Sequence, residues 1–498
     1  MIEFLFYRKY QDYKAKHNDL VSVYDEFYND IINYYDSSRR KVYDLKTIKD
    51  KVLYTFIYNI SSSSNSLIKD TLIDLNGPWD ALLLRNIIES ILYYRLLFCF
   101  ELGNKYYELF YYHHHIFEYS FTKKYHIYTK QEKLSDGNIR RYENSIKLFT
   151  SVHQIDKNQA EKILRRRTGW TFGIKGNKTI GTKVIAKLCK EDFLLDLLSR
   201  GNLNSIVHLD KKKILLTHEE VFYLMAYVVS ILEEINKKLN NKIKKVSLYQ
   251  LRMGYAKQMT QQRIISKYKP LYDSLGQNKL FKQILKKESK HDIFKELFDA
   301  DTRFGFECQA YAAGYSYVFV SQLEIVTYIL KIINEYGDEF HKTHVGDLTV
   351  LFLNMETDFA FGYENEYKMK YRYFIDELLL AFVGEKVNFK FEEFLSKQLV
   401  TLGVDEDYGS LIKALYNESC NFVHPNVYGY LGYYSFNNQY TLEYVYSTYH
   451  LLQHCVQNYL QKLPISINIY NEINCKLNQL NEKLTNRIKV ANEYKSTV

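Results

Sequence analysis

Apolar residues recur three and four positions apart along most of this chain, the spacing of one face of an α-helix. Residues 14–60 alternate Tyr, Val, Leu and Ile with charges in this way, until the run Ser61–Ser64, which reads as a loop. Gly77-Pro78 then opens a helix carrying Leu82, Leu83, Leu84, Ile87, Ile88, Ile91 and Leu92. Its apolar positions go nearly all the way round, which predicts a central place in a bundle. A second long helix starts near Thr217-His218-Glu219-Glu220, a capping sequence with acids in the first turn, and runs through Val221, Leu224, Val228 and Ile235. Further helices are predicted over Val318–Ile333, from Arg372 through Leu380, and over Leu442–Leu460. After Pro464, the residues Ile469, Ile473, Leu477, Leu480, Leu484 and Ile488 form a narrow stripe suited to a neighbouring or partner helix. Strand signals are scarce, apart from a Gly-containing hairpin candidate at Trp170–Ile180.

One polar pattern occurs twice within this helical background. Arg85 and Glu89 are followed downstream by Ile206-Val207-His208, and Arg372 and Asp376 by Phe422-Val423-His424. A duplication of that kind predicts an all-α fold of two related helical bundles. The expected domains are 1–246 and 301–498, joined by a Lys- and Gln-rich helical connector over 247–300 and ending in a C-terminal packing helix. A chain of 498 residues has room for two or three domains.

Composition narrows the chemistry mainly by exclusion. Four prolines suit long helices, and the net charge of +9 permits an anionic partner without requiring one. Six scattered cysteines contain no C-x-x-C pair, so neither a disulfide framework nor a zinc site is indicated. Phosphate-loop, dinucleotide-binding and serine-hydrolase signatures are absent, and no cofactor is expected. His113-His114-His115, His341-x-x-His344 (read as lying in a loop) and His450 with His454 lack companion motifs, so no metal is expected. The beginning Met1-Ile2-Glu3-Phe4 carries no secretory signal, and the apolar stretch Tyr311–Ile333 is interrupted by Gln322, Glu324 and Lys331. The expectation is a soluble, cytoplasmic protein with no membrane partner.

Arg85 with Glu89, and Arg372 with Asp376, stand four residues apart and share a helix face. Each pair reads either as a structural ion pair that fixes helix register or as a phosphate-gripping Arg with an acid that orients a histidine. His208 and His424 read either as a general acid or base near neutrality or as a helix-end hydrogen-bonding group. A third feature is basic. Between Lys162 and Lys190 there are nine Lys or Arg and no Asp or Glu, including Arg165, Arg166, Arg167, Lys175 and Lys178. Trp170 and Phe172 interleave them. Cations neutralise phosphates and aromatic rings stack on bases, which suits single-stranded nucleic acid; the alternative is a solvated loop with Trp170 in the core.

The stretch Ala81-Leu82-Leu83-Leu84-Arg85-Asn86-Ile87-Ile88-Glu89-Ser90 resembles the signature helix of a bacterial family, domain of unknown function 5677. Trp170-Thr171-Phe172-Gly173, Leu415-Tyr416-Asn417-Glu418-Ser419 and Asn421-Phe422-Val423-His424-Pro425 resemble further parts of it. That family is similar in outline to the HEPN helical domains, many of which are ribonucleases of toxin and antiviral systems. The resemblance implies RNA binding or metal-independent cleavage in a defence or toxin setting. Such ribonucleases carry an Arg a few residues before the histidine. Here Arg200 is eight residues before His208 and none lies close before His424, so Arg85 or Arg372 would have to supply the cation from another helix. The rival expectation is a non-catalytic scaffold or sensor, using the 465–490 helix to bind a partner protein or a second copy of itself.

Overall fold

The first two long helices pack against each other and set the frame of the N-terminal region. In the computed structural model, α1 spans Ile48–Leu72 and α2 spans Asp80–Cys99. Thr47 begins α1 by accepting the Asp50 N–H at its hydroxyl, 3.0 Å. Described residues are 27, 30–35, 37–38, 45–72, 77–100, 102–129, 136–200, 218–243, 309–360, 364–383, 397–425, 427 and 439–496. His208 and the expected connector over 247–300 lie outside them.

Ser61–Ser64, read as a loop, is instead the middle of α1. Its serines are buried, Ser61 donates to the Ile57 carbonyl one turn back at 2.6 Å, and Ser63 donates to Asn86 Oδ1 of α2 at 3.3 Å. Small side chains suit a helix packed against a neighbour, and a buried hydroxyl bonded to its own helix escapes the cost of desolvation. As the apolar pattern predicts, α2 is buried nearly all round, with Arg85 only partly covered. Farther along α2, Arg95 forms ion pairs with Glu191 at 3.0 Å and Glu234 at 2.8 Å and donates to the Tyr227 hydroxyl.

The chain continues through α3 (Asn104–Tyr112), α4 (His114–Thr129), α5 (Asp136–His153), α6 (Lys157–Leu164), α7 (Thr182–Cys189), α8 (Asp192–Arg200) and α9 (His218–Lys238). α7 lies against α2, and α9 and α3 lie against α1. The hairpin expected at Trp170–Ile180 is a 3-10 turn over Gly169–Thr171, followed by two isolated bridges among Gly173, Ile174 and Gly176. No strand forms among the described residues.

α10 (Gln309–Tyr336), α11 (Glu339–Ala360), α12 (Glu364–Val383), α13 (Glu406–Phe422), α14 (Gln439–Gln461) and α15 (Ile467–Ser496) follow. α12 packs on α11 and α14, while α15 packs on α10 and α14. The α15 stripe is thereby covered within its own chain: Ile473, Leu477, Leu480, Leu484 and Ile488 are buried, and only its beginning, at Ile467 and Ile469, is exposed. The face expected to serve a partner helix is occupied. Helix α12 is buried along its length even though it carries Lys370, Arg372, Asp376 and Glu377.

Two compact units result, and they do not simply follow chain order. One comprises Met1–Leu72, Gly77–Val246 and Asn417–Asn437; the other comprises Ile73–Asn76, Ser247–Tyr416 and Asn438–Val498. Two segments, Ile73–Asn76 and Asn417–Asn437, thus fall on the other side of a division at residue 246. The end of α13 and the segment bearing His424 belong with the first unit, where Asn86 Nδ2 of α2 donates to the Phe422 carbonyl at 3.0 Å.

Candidate functional site on the first unit

The centre of the site is the carboxylate of Glu89, buried on α2. Arg85, one turn earlier, donates from Nε to its Oε1 at 3.0 Å, and Thr182 at the start of α7 donates to the same oxygen at 3.2 Å. His424 Nδ1 lies 2.6 Å from Oε2. On the other edge of the imidazole, Arg167 Nη1 is hydrogen-bonded to Nε2. Four separate stretches of the first unit thus converge: α2, the turn after α6, the start of α7, and the segment after α13.

Local sequence features bring Arg167 to this position. The chain leaves α6 by tight backbone bonds from Arg166 N to Ile163 O, 3.0 Å, and from Gly169 N to Arg166 O, 2.8 Å. A Cβ on Gly169 would stand 2.6 Å from the Ile163 carbonyl oxygen, so this fold-back requires glycine. His113 Nε2 holds the Leu164 carbonyl at 2.8 Å beneath it. Thr171 then joins the two ends of the following loop, since its hydroxyl accepts the Ile180 N–H at 3.0 Å. Arg167 before the loop and Thr182 after it consequently reach the same His–Glu pair.

Burial opposes ionisation of Glu89, yet the charge of the Arg85 guanidinium and the hydrogen bonds from His424 and Arg85 hold its carboxyl below the usual carboxylate range. For His424 the direction is also downward, to about 3, because burial disfavours the imidazolium and, although Glu89 attracts it, Arg167 and Arg85 repel it. The geometry agrees with that direction. An ionised carboxylate only accepts, so Nδ1 carries the proton; the guanidinium only donates, so Nε2 keeps its lone pair. His424 is a neutral imidazole of fixed tautomer whose basic nitrogen faces a cation. Tyr93, one turn beyond Glu89, is fully buried, and burial together with Glu89 keeps its phenol protonated.

The site residues read from sequence separate into three groups. Arg85, Glu89 and His424 come together, with Glu89 in contact with the histidine from the far half of the sequence. Arg372 and Asp376 belong to the other unit, where they stand 3.9 Å apart and Tyr416 donates to Asp376 at 3.0 Å. Their unit is thus not the one that holds His424. The two carboxyls also shift in opposite directions: burial pushes that of Asp376 up to about 7.

The basic segment also divides. Arg165, Arg166, Lys175 and Lys178 are exposed. Trp170, expected as a stacking platform, is 1 % exposed and packs edge-on against Tyr93 and Phe110, with ring centroids 5.2 and 5.1 Å away. Its indole is core and has no face to offer a base. Arg167, expected to contact nucleic acid with its neighbours, is the cation on His424. Sequence reading gave no role to Thr182, Tyr93 or Asn86; the glycine directly after an Arg run and a Thr is the one signal of a turn that aims a side chain.

Protein-family models, curated proteins and solved structures gave no match to this chain. The geometry therefore carries the functional reading by itself. Among the described residues, no helix is long and apolar enough to cross a membrane.

Proposed function

We propose that the first unit binds RNA and cleaves it without a metal at the Glu89–His424–Arg167 centre. The observation that carries this reading is the arrangement of His424: Nδ1 tied to a buried carboxylate and the lone pair of Nε2 held toward Arg167. Glu89 acts as the orienting acid. Arg167 is the group that meets phosphate, since a phosphate oxygen competes for a guanidinium at least as well as an imidazole nitrogen does. As Arg167 turns to the phosphate, Nε2 becomes free to take the proton of the attacking ribose 2′-hydroxyl and to return it to the 5′-oxygen as the P–O5′ bond breaks, leaving a 2′,3′-cyclic phosphate. Arg167 and Arg85 then oppose the charge that builds on phosphorus. Exposed Arg165, Arg166, Lys175 and Lys178 sit on the same turn and loop as Arg167 and supply a path for the backbone of a single strand. The resemblance to helical ribonucleases supports the substrate class and a defence or toxin setting.

The burial of His424 favours a second reading, in which the four groups are a structural network in a scaffold protein. The two separate in one assay set. His424→Asn keeps a donor near Glu89 and removes Nε2, so cleavage of single-stranded RNA should fall by about 10²–10⁴-fold with the helical circular dichroism retained. Arg165→Glu with Arg166→Glu should abolish retention on an RNA column and leave the melting temperature unchanged. Wild-type turnover in His424→Asn, or a wild-type protein that neither binds nor cuts RNA, would remove the proposal in favour of the scaffold.

A further inference from the structure

Away from the candidate site, the second unit holds a cluster of metal-ligating side chains that neither functional reading uses. His344 and Asp347 lie three residues apart on α11 and share a face, and Glu377 of α12 meets them. His344 Nδ1 is 2.6 Å from Glu377 Oε1, and one ligand atom from each of the three residues falls within 4.8 Å of the others. The ligands of a small ion bound at about 2.1 Å stand roughly 3–4 Å apart, so an inward turn of the exposed Asp347 carboxylate completes the set. The histidine and glutamate are buried and held between packed helices, while the aspartate leaves the outer side open to water. The Phe340 ring covers the imidazole, with centroids 4.3 Å apart.

Charge distinguishes this cluster from the other candidate in the chain. His114, His115 and Glu118 also come within 4.8 Å, but Arg141 occupies Glu118 at 2.7 Å and would repel an added cation. Around His344 the balance is reversed. Glu377, Asp347 and Asp376 all converge on Tyr373, whose phenol is held protonated by burial and by those three carboxylates. The cation beside them, Arg372, is paired with Asp376. A divalent ion would lower the electrostatic cost of placing these acids together.

We propose that His344, Asp347 and Glu377 bind one divalent first-row transition ion of the zinc, manganese or cobalt class. One imidazole and two carboxylates make a borderline donor set, which disfavours magnesium and calcium relative to these ions. An imidazole that ligates through Nδ1 carries its proton on Nε2, so the ion takes the place of the His344–Glu377 hydrogen bond. Three protein ligands leave at least one position for water.

The test uses the full chain stripped with a chelator and titrated with Co²⁺, followed by visible absorption and calorimetry. One equivalent should bind with ligand-field bands. Asp347→Asn, at an exposed position, should weaken binding by about tenfold or more, the scale on which even outer partners of a metal ligand act. Glu377→Gln should abolish the bands, and His115→Ala should leave them intact. Absence of binding in the wild type, or binding that Asp347→Asn and Glu377→Gln leave unchanged, overturns the proposal and leaves His344–Glu377 as a buried ion pair only.

Discussion

Replacing Glu89 by glutamine keeps the volume of the side chain and disturbs a chain of hydrogen bonds that runs from Arg85 to Arg167. Glu89 accepts from Arg85 and Thr182 at one oxygen and from His424 at the other. A glutamine has one acceptor. If its oxygen stays toward Arg85 and Thr182, its amide N–H₂ faces His424 Nδ1, and the imidazole must move its proton to Nε2. There the N–H meets the N–H of Arg167, donor against donor. Breaking a buried charge pair costs about 3–5 kcal/mol, and the lower end applies because two hydrogen bonds survive. Arg167→Ala alone should cost about 1.5–3 kcal/mol, the range for a hydrogen bond to a charged group. In the double variant the donor–donor conflict is absent, so the two losses should fall short of adding by about 1–3 kcal/mol. Both tryptophans of the chain, Trp79 and Trp170, lie in the first unit, so urea unfolding followed by tryptophan fluorescence reports on that unit. The midpoints should shift with unchanged slope. Losses that add to within about 0.5 kcal/mol would refute the tautomer chain, because they would mean that Glu89 and Arg167 act on His424 independently.

Two further expectations concern the second unit. Lys370 donates to Asp358 at 2.5 Å and to Asn354, with Lys370 and Asp358 both fully buried; Lys370→Met should destabilise by about 3–5 kcal/mol in circular dichroism melts, and adding Asp358→Leu should restore most of the loss. The Asp376 carboxyl, raised by burial to about 7, binds its proton more tightly in the folded chain than in the unfolded one. Its contribution to stability is therefore complete below pH of about 4 and lost as pH rises toward 7, so Asp376→Asn should gain on the wild type across that window; a difference that is flat with pH would contradict the assignment.

Long helices were legible because their burial is periodic. α9 and α15 follow stripes that local spacing displays, α2 is apolar nearly all round, and the all-α architecture follows from them. The misreadings share a cause. Ser61–Ser64 has the composition of a loop, but the Ser61 and Ser63 hydroxyls find acceptors inside the bundle, and packing on α2 overrides propensity. His341-x-x-His344 was read as a loop because charges surround it; Asp338 accepts the His341 N–H at 2.9 Å and begins α11 there, so the charges are a helix start. The glycines near Trp170 mark a folded-back turn, for which the local pattern is much the same as for a hairpin.

The site was legible only in its local half. Arg85 and Glu89 are four residues apart, and their pairing follows from helix geometry alone. His424 is 335 residues from Glu89, and His208 follows a similar apolar strip, so spacing offered no means of choosing between them. Charge accounting carries part of that choice. A carboxylate on a helix buried nearly all round needs more than one partner, and Arg85 remains partly exposed at its edge. A neutral imidazole can satisfy the second oxygen without adding a charge, and it then requires a donor at its far nitrogen. The turn held by Gly169 delivers Arg167 as that donor. Asp376 is met differently in the second unit: the Tyr416 hydroxyl donates to it, and burial raises its carboxyl to about 7. Two Arg–acid pairs of equal spacing thus diverge according to what covers the acid, and only the pair on α2 leaves a basic nitrogen facing a cation.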